Sequence, residues 1–145
     1  DPECQVMMLR LMSDLVPALL ASRDGVLRNF DLRWYPQAAL TVVMAAKGYP
    51  GNYAKGSVIE GLDAAAAVED VEIFHAGTKA DGTRILANGG RVLNVCALGD
   101  TVSEAQARRR ASPVRAGAAQ ARSGAAFGTA QVECERRCVN CIAPV

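Results

Sequence analysis

The sequence is poor in the features that mark several large classes of protein. It contains one histidine, so a histidine-built catalytic or metal site has no second histidine to draw on. Its formal net charge is +1, which gives a nucleic acid or an anionic membrane surface little overall attraction. The longest apolar stretch, Ala38 to Ala46 broken only by Thr41, is far too short to cross a bilayer. No basic segment leading into an apolar one opens the chain, so no secretory leader is expected. The five cysteines are odd in number and irregularly spaced, which argues against a secreted disulfide framework and for a reducing, cytosolic compartment. No G-x-G-x-x-G fingerprint is present. The glycine-rich loop near residue 50 is not a P-loop, because Lys55 precedes Gly56 and only Ser57 follows it.

What is present is globular. Half of the 145 residues are apolar and about a fifth are charged, which suits one domain or a small domain with appendages. Asp1-Pro2 reads as a helix start, and Met8, Leu11, Met12, Leu15, Leu19 and Leu20 recur at helical spacing. Pro17 is expected to kink or shorten that helix and Asp24-Gly25 to end it, with the apolar stripe packed into a core. "AALTVVMAA" reads as a strand buried on both faces. Residues 61–70 suggest a turn and a short helix. "VEIFHAGT", "TRILA" and "RVLNVCALG", joined at Asp81-Gly82 and at "NGG", predict a three-stranded antiparallel meander. Thr101 with Glu104 forms a capping box, so a helix starts near residue 102. After Arg108 the chain is rich in Ala, Arg, Gly and Ser, with no Lys and two acidic residues. Such a stretch buries too little apolar surface to offset its ordering entropy, and a disordered or non-native tail is expected.

Each candidate for chemistry has a plainer rival. "MAAKGYPGNYAKGS" (44–57) carries three glycines, a proline, two tyrosines and two lysines, more than a turn requires. Either it wraps a ligand, or its glycines only shape turns and its lysines are solvated. His75 lies in a predicted strand and reads as a structural or solvent-facing residue. Cys134, Cys138 and Cys141 have the C-x3-C-x2-C spacing of an iron–sulfur motif, but only four residues follow them, and a zinc site would need a fourth ligand such as His75 or Cys96. Arg108–Arg110, Arg115, Arg122, Arg136 and Arg137 form a basic cluster with little aromatic interleaving; a solvated tail is favoured over nucleic-acid binding.

Four stretches, "DPECQ", "ALTVVMAAKGYPGNYAKG" (39–56), "FHAGT" (74–78) and "GGRVLNVCALGDTVSEAQ" (89–106), follow one another in this order and spacing. Together they resemble the C-terminal part of the phosphoribosylamine–glycine ligases, or glycinamide ribonucleotide synthetases, over about residues 1 to 108. The resemblance implies an ATP-grasp ligase that joins glycine to 5-phosphoribosylamine through a glycyl phosphate, using ATP and Mg2+ or Mn2+ in purine synthesis. Asp1, Pro2 and Glu3 would end the family signature "RFGDPE". The metal-binding Glu and Asn, the amino-terminal domain and the ATP-clamping domain would lie upstream and be absent here. The implied fold is α+β: residues 1–28 as the end helix of the ATP-grasp core, 29–108 as a small antiparallel β domain with a capping helix, and 109–145 as the tail.

The resemblance also implies where substrate binds. Lys47, Gly48, Tyr49, Pro50 and Lys55 in the loop, with Gly89, Gly90 and Arg91, are the candidates, the cations to meet the ribose phosphate. Family members continue into a strand of the type "GxFYRRDIGxRA", and nothing like it follows Arg108. The chain is therefore expected to be a piece of a longer ligase, a cytoplasmic monomer of low stability, inactive alone, with no nucleic-acid or membrane partner. A free-standing binding domain without ligase chemistry is the alternative, and a metal or iron–sulfur protein built on the tail cysteines a third.

Overall fold

The computed structural model describes residues 2–116 and 141–142. Helix α1 (Glu3–Arg10) opens the chain, with Pro2 at the cap position rather than inside the first turn. The single helix expected from the apolar stripe, kinked or shortened at Pro17, is two helices. The chain leaves α1 at Leu11 in extended conformation and bridges Trp34. Asp14 then caps α2 (Leu15–Arg23), its carboxylate accepting from Val16 N at 3.0 Å. Pro17 falls in the first turn of α2, where a backbone N–H has no helical partner to lose, so it marks a start and not a kink.

The stripe is not core either. Leu15, Leu19 and Leu20 are exposed, Leu19 to 59%, as is Met12, and α2 buries only its small Ala18 and Ala21. Helical spacing reports that a helix has an apolar face; it does not report what lies against it.

Four strands form the main sheet: β1 (Ala38–Ala45), β3 (Val71–His75), β6 (Arg91–Gly99) and β8 (Cys141–Ile142), in the order β3-β6-β1-β8. The pairings β1–β6, β3–β6 and β1–β8 are antiparallel. β1 and β6 are the apolar runs of the sequence, and both are buried over most of their length. On one face Leu40, Met44, Val71, Leu93, Val95 and Ala97 pack with Ala65 and Ala105. Those two come from the helices α3 (Leu62–Ala66) and α4 (Val102–Ala111). The opposite parity, Ala39, Thr41, Val43, Asn94 and Cys96, is buried as well. Helix α1, with Val6 fully buried, lies against β1 and β6 there.

The expected meander has a different pairing. β3 joins β6 directly, Val71 opposite Ala97 through His75 opposite Leu93. Strands β4 (Thr78–Asp81) and β5 (Arg84–Ala87) form a separate hairpin inserted between them. Asp81 is the last paired residue, facing Arg84 with an ion pair at 2.7 Å, so the turn residues are Gly82 and Thr83. The strand that sequence alternation predicts as continuous breaks at Gly77, where two backbones come too close for a ladder to pass.

The capping box is present. Thr101 Oγ1 accepts from Glu104 N at 3.1 Å, and the Glu104 carboxylate accepts from Asp100 N, one residue before the cap. Helix α4 runs on through Arg108 to Ala111, and β7 (Arg115–Ala116) then pairs with β2 (Ile59–Glu60). Arg108 is thus a helix residue tied to its surroundings: it donates to Leu98 O and to Glu104, and pairs with Asp70. The remainder of the expected tail, 117–140 and 143–145, lies outside the described residues, and with it Cys134 and Cys138.

Candidate functional site

Where β1 ends at Ala45, the chain enters the loop of residues 46–57. Both ends of that loop are held by the segment entering β6. Ala46 N donates to Gly90 O at 2.7 Å, Gly56 N to Ala87 O at 2.7 Å and Ala87 N to Ser57 O at 2.8 Å. The turn at its tip is closed by Tyr49 N on Ala46 O at 3.0 Å, and Tyr49–Pro50 is a cis peptide. The rings of Tyr49 and Tyr53 meet edge to face with centroids 6.1 Å apart, a favoured aromatic geometry.

Glycine is required here by close approach. The Tyr49 ring occupies the space of a Cβ at Gly90, whose ideal position falls 2.5 Å from Tyr49 Cε2. At the neck of the inserted hairpin, a Cβ on Gly77 would fall 2.6 Å from Gly89 Cα. Gly77 N donates to Arg91 O, and Asn88 N to Gly77 O. Three segments, 46–57, 75–78 and 87–91, therefore meet at one end of the sheet.

The electrostatics of this corner are one-sided. Its three segments carry Lys47, Lys55, Arg91 and His75 and no aspartate or glutamate. Lys47, Lys55 and Arg91 are exposed, as are Gly48, Tyr49 and Pro50. Gly90 is buried beneath Tyr49 and Gly89 is half-buried. Of the residues singled out by sequence, the structure thus gathers Lys47 to Pro50, Lys55 and Gly89 to Arg91 at one place. Pro2 and Glu3 open α1, a separate element, and Asp1 lies outside the described residues.

Sequence reasoning set His75 aside, and the structure places it in the corner. It ends β3 with its side chain exposed, Nδ1 at 3.0 Å from Thr78 Oγ1. Cross-strand pairing, invisible in the sequence, sets His75 opposite Leu93, with Gly77 N donating to Arg91 O at 2.9 Å two residues on. The signal within the sequence was the Gly-Thr that follows His75, which bends the strand and returns a hydroxyl to the ring.

No metal set accompanies the corner. Among the described residues no group of three His, Cys, Asp or Glu side chains is placed to hold a metal ion. Cys96 is buried beneath α1, its Sγ donating to Thr41 Oγ1 at 3.0 Å. Burial pushes its thiol up to about 11, against the pull of the Thr41 hydrogen bond. A thiol so held is neither a ready nucleophile nor a ready ligand.

Residues 39–127 match the family model of the phosphoribosylglycinamide synthetase C domain. A phosphoribosylamine–glycine ligase of Mesorhizobium japonicum is 59% identical over 112 residues, 77% of this chain and 26% of that protein. One of Vigna unguiculata is 56% identical over 107 residues, 72% of this chain and 34% of that protein. The crystal structure of phosphoribosylamine–glycine ligase from Thermotoga maritima superposes with a TM-score of 0.50 at 31% identity, covering 67% of this chain and 23% of that one. The chain spans about a quarter to a third of the length of these curated relatives.

Proposed function

The chain belongs to the phosphoribosylglycinamide synthetase family, and from that premise we propose that it is the C-terminal part of an ATP-dependent ligase. The reaction is the joining of glycine to 5-phosphoribosylamine to give glycinamide ribonucleotide, a step of purine synthesis in the cytoplasm. ATP activates the glycine carboxylate as an acyl phosphate, and the ribosylamine nitrogen displaces that phosphate. We assign the ATP and Mg2+ or Mn2+ ligands to the remainder of the ligase, and no step is routed through this chain.

The task of this chain is to bind the phosphate end of the ribosylamine. The observation that carries this reading is the corner itself, whose three segments carry three cations and glycines at close backbone approaches. Arg91 can meet a phosphate with two parallel hydrogen bonds, and Lys47 and Lys55 add point charges. Gly48, Gly89 and Gly90 leave room for backbone approach, while Tyr49 and Pro50 fix the loop. Holding the remote phosphate converts binding energy into orientation of the amine. The partner of the chain is then the ATP-grasp part of the same monomeric enzyme.

The test is a titration of the chain with ribose 5-phosphate, a stable analogue, against ribose. Saturable binding of the phosphorylated sugar alone, weakened about tenfold or more in Arg91→Gln, is expected. Equal indifference to both sugars would overturn the reading. Turnover of ATP, glycine and ribosylamine by the chain alone would show instead that it holds the catalytic centre. A free-standing phosphosugar-binding domain is the second reading; binding without a ligase-encoding region upstream in the DNA separates the two.

A further inference from the structure

We infer that residues 13–33 form an apolar arm that docks into the remaining part of the ligase, with α2 as the buried element of that contact. The inference rests on the ligase reading above and adds the surface that joins this chain to the rest of the enzyme.

The arm leaves the domain and rejoins it at one place. Met12 N donates to Arg33 O at 3.0 Å, Tyr35 N donates to Arg10 O at 2.8 Å, and Leu11 bridges Trp34. Between those points α2 packs chiefly on the 3-10 turn Leu27–Asn29, and Val26 N on Ala21 O at 2.9 Å folds one back on the other. The helix is built the wrong way round for an element that meets water. Its small Ala18 and Ala21 face the protein, while Leu15 is 39% exposed, Val16 60%, Leu19 59% and Leu20 45%. Those four positions cover a wide arc. With the two alanines they leave α2 apolar on almost all sides, which is the composition of a helix inside a protein. Among the described residues twelve large apolar side chains are exposed, and eleven of them lie between Met7 and Tyr35.

The surroundings of the arm point to its occupant. The match to the C domain begins at residue 39, so the arm lies before that domain in the chain. The aligned region is 26% of the Mesorhizobium japonicum ligase, which leaves about three quarters of such an enzyme to cover the arm. A specific interface takes about 20–30 residues a side, the size of the segment 7–35. The charges of the arm balance, Arg23, Arg28 and Arg33 against Asp14, Asp24 and Asp31, and it carries no lysine. A face without net charge suits an apolar protein surface and exerts no pull on an anionic lipid. Residues 117–140 are poor material for a cover, since their large apolar side chains are only Phe127, Val132 and Val139. A twofold contact between copies covers one side of α2, whereas a helix apolar on almost all sides needs a body around it.

The test compares the full chain with the same chain joined behind the other three quarters of the Mesorhizobium japonicum ligase. Both carry Leu19→Cys, with Cys4→Ser, Cys134→Ser, Cys138→Ser and Cys141→Ser. The buried Cys96 is kept, and its silence towards a thiol reagent reports that the sheet is folded. Modification of position 19 is followed by mass spectrometry at about 1 µM protein. It is expected to be immediate in the chain alone and at least about tenfold slower in the joined protein. Lys79→Cys, on the exposed strand β4, should react equally fast in both. Val16→Cys serves as a second site in case Leu19→Cys disturbs the contact. Equal, fast modification at both sites in a joined protein with a silent Cys96 would overturn the inference. Slow modification in the chain alone would overturn it too, because a second copy would then cover the arm. A joined protein that exposes Cys96 while the chain alone keeps it silent counts against it equally, since a face that fits its occupant adds stability. Ribose 5-phosphate binding by the chain alone does not involve the arm, so the phosphosugar reading stands or falls separately.

Discussion

Gly77 and Gly89 face each other across the neck of the β4–β5 hairpin so closely that a Cβ on either would meet the other's Cα within 2.8 Å. The two backbones hold the hairpin where it leaves the sheet, with Gly77 N on Arg91 O and Asn88 N on Gly77 O. Gly77→Ala and Gly89→Ala should each destabilise the chain by about 1–3 kcal/mol, the usual cost of overpacking. Each substitution separates the same backbones, so the double variant should cost less than the sum. Urea melts of the four proteins measure this, and fully additive losses would show that the two glycines act independently.

The contact between Tyr49 and Gly90 permits a cleaner dissection. Gly90→Ala forces the Tyr49 ring out of its place and should destabilise the chain and weaken ribose 5-phosphate. In a Tyr49→Ala background the three atoms nearest the added methyl are gone, and most of the penalty should disappear. A coupling of roughly 0.5–3 kcal/mol between the two positions is expected from a double-mutant cycle; zero coupling would mean that the ring does not rest on Gly90 in solution.

Arg108 ties three elements together through Leu98 O and Glu104, both at 2.9 Å, and through Asp70 at the entry to β3. Its side chain is about two-thirds buried, at 32% exposure, so solvent screens these bonds only in part. Arg108→Ala should cost about 1–3 kcal/mol, as for hydrogen bonds to a charged group. Arg108→Lys should recover little of it, because an ammonium cannot reproduce the fork that serves several acceptors. A loss below the error of a denaturant melt would place the residue among ordinary surface arginines.

The Cys96 thiol, held up to about 11 by burial, makes a pH prediction with a definite sign. The folded chain keeps that proton more tightly than the unfolded chain, whose thiol titrates near 9.0. The associated stability is complete below pH 9 and is lost as pH rises towards 11, a decline of up to about 3 kcal/mol from this group. Cys96→Ala should flatten that part of the pH profile. In the native chain at neutral pH, Cys96 should resist a thiol reagent that modifies the exposed Cys4 at once, and equal rates would contradict its burial.

The exposed face of α2, with Val16 at 60% and Leu19 at 59%, should make the isolated chain associate with itself at high concentration. Val16→Ser with Leu19→Ser should reduce that association, read by light scattering, and cost less than about 0.5 kcal/mol per site in stability. Loss of folding in the double variant would show that this face is core after all.

Much of this chain can be read without coordinates where the determinant is local. β1 follows from an unbroken apolar run, and the start of α4 from a hydroxyl and a carboxylate three residues apart at Thr101 and Glu104. The hairpin at Gly82 follows from its turn residues. The division of α1 from α2 was equally local, in Asp14 and in a proline suited to a first turn, but the continuous apolar spacing masked it. The loop rich in glycine and lysine was visible in composition, while the membership of His75 in the same corner was not.

Sequence alone determined the family, because four motifs in one order and spacing are a property of the linear chain. It also determined β1 and the start of α4, since backbone preference and side-chain periodicity act over a few residues. Only the tertiary structure decided that β3 pairs with β6 and not with the hairpin, that the α2 stripe faces outward, and that His75 stands at the same end of the sheet as the 46–57 loop. Each of those rests on contacts between residues far apart in the chain. There the outcome depends on which surfaces meet: two glycines let backbones touch at 77 and 89, and a ring fills the space above Gly90.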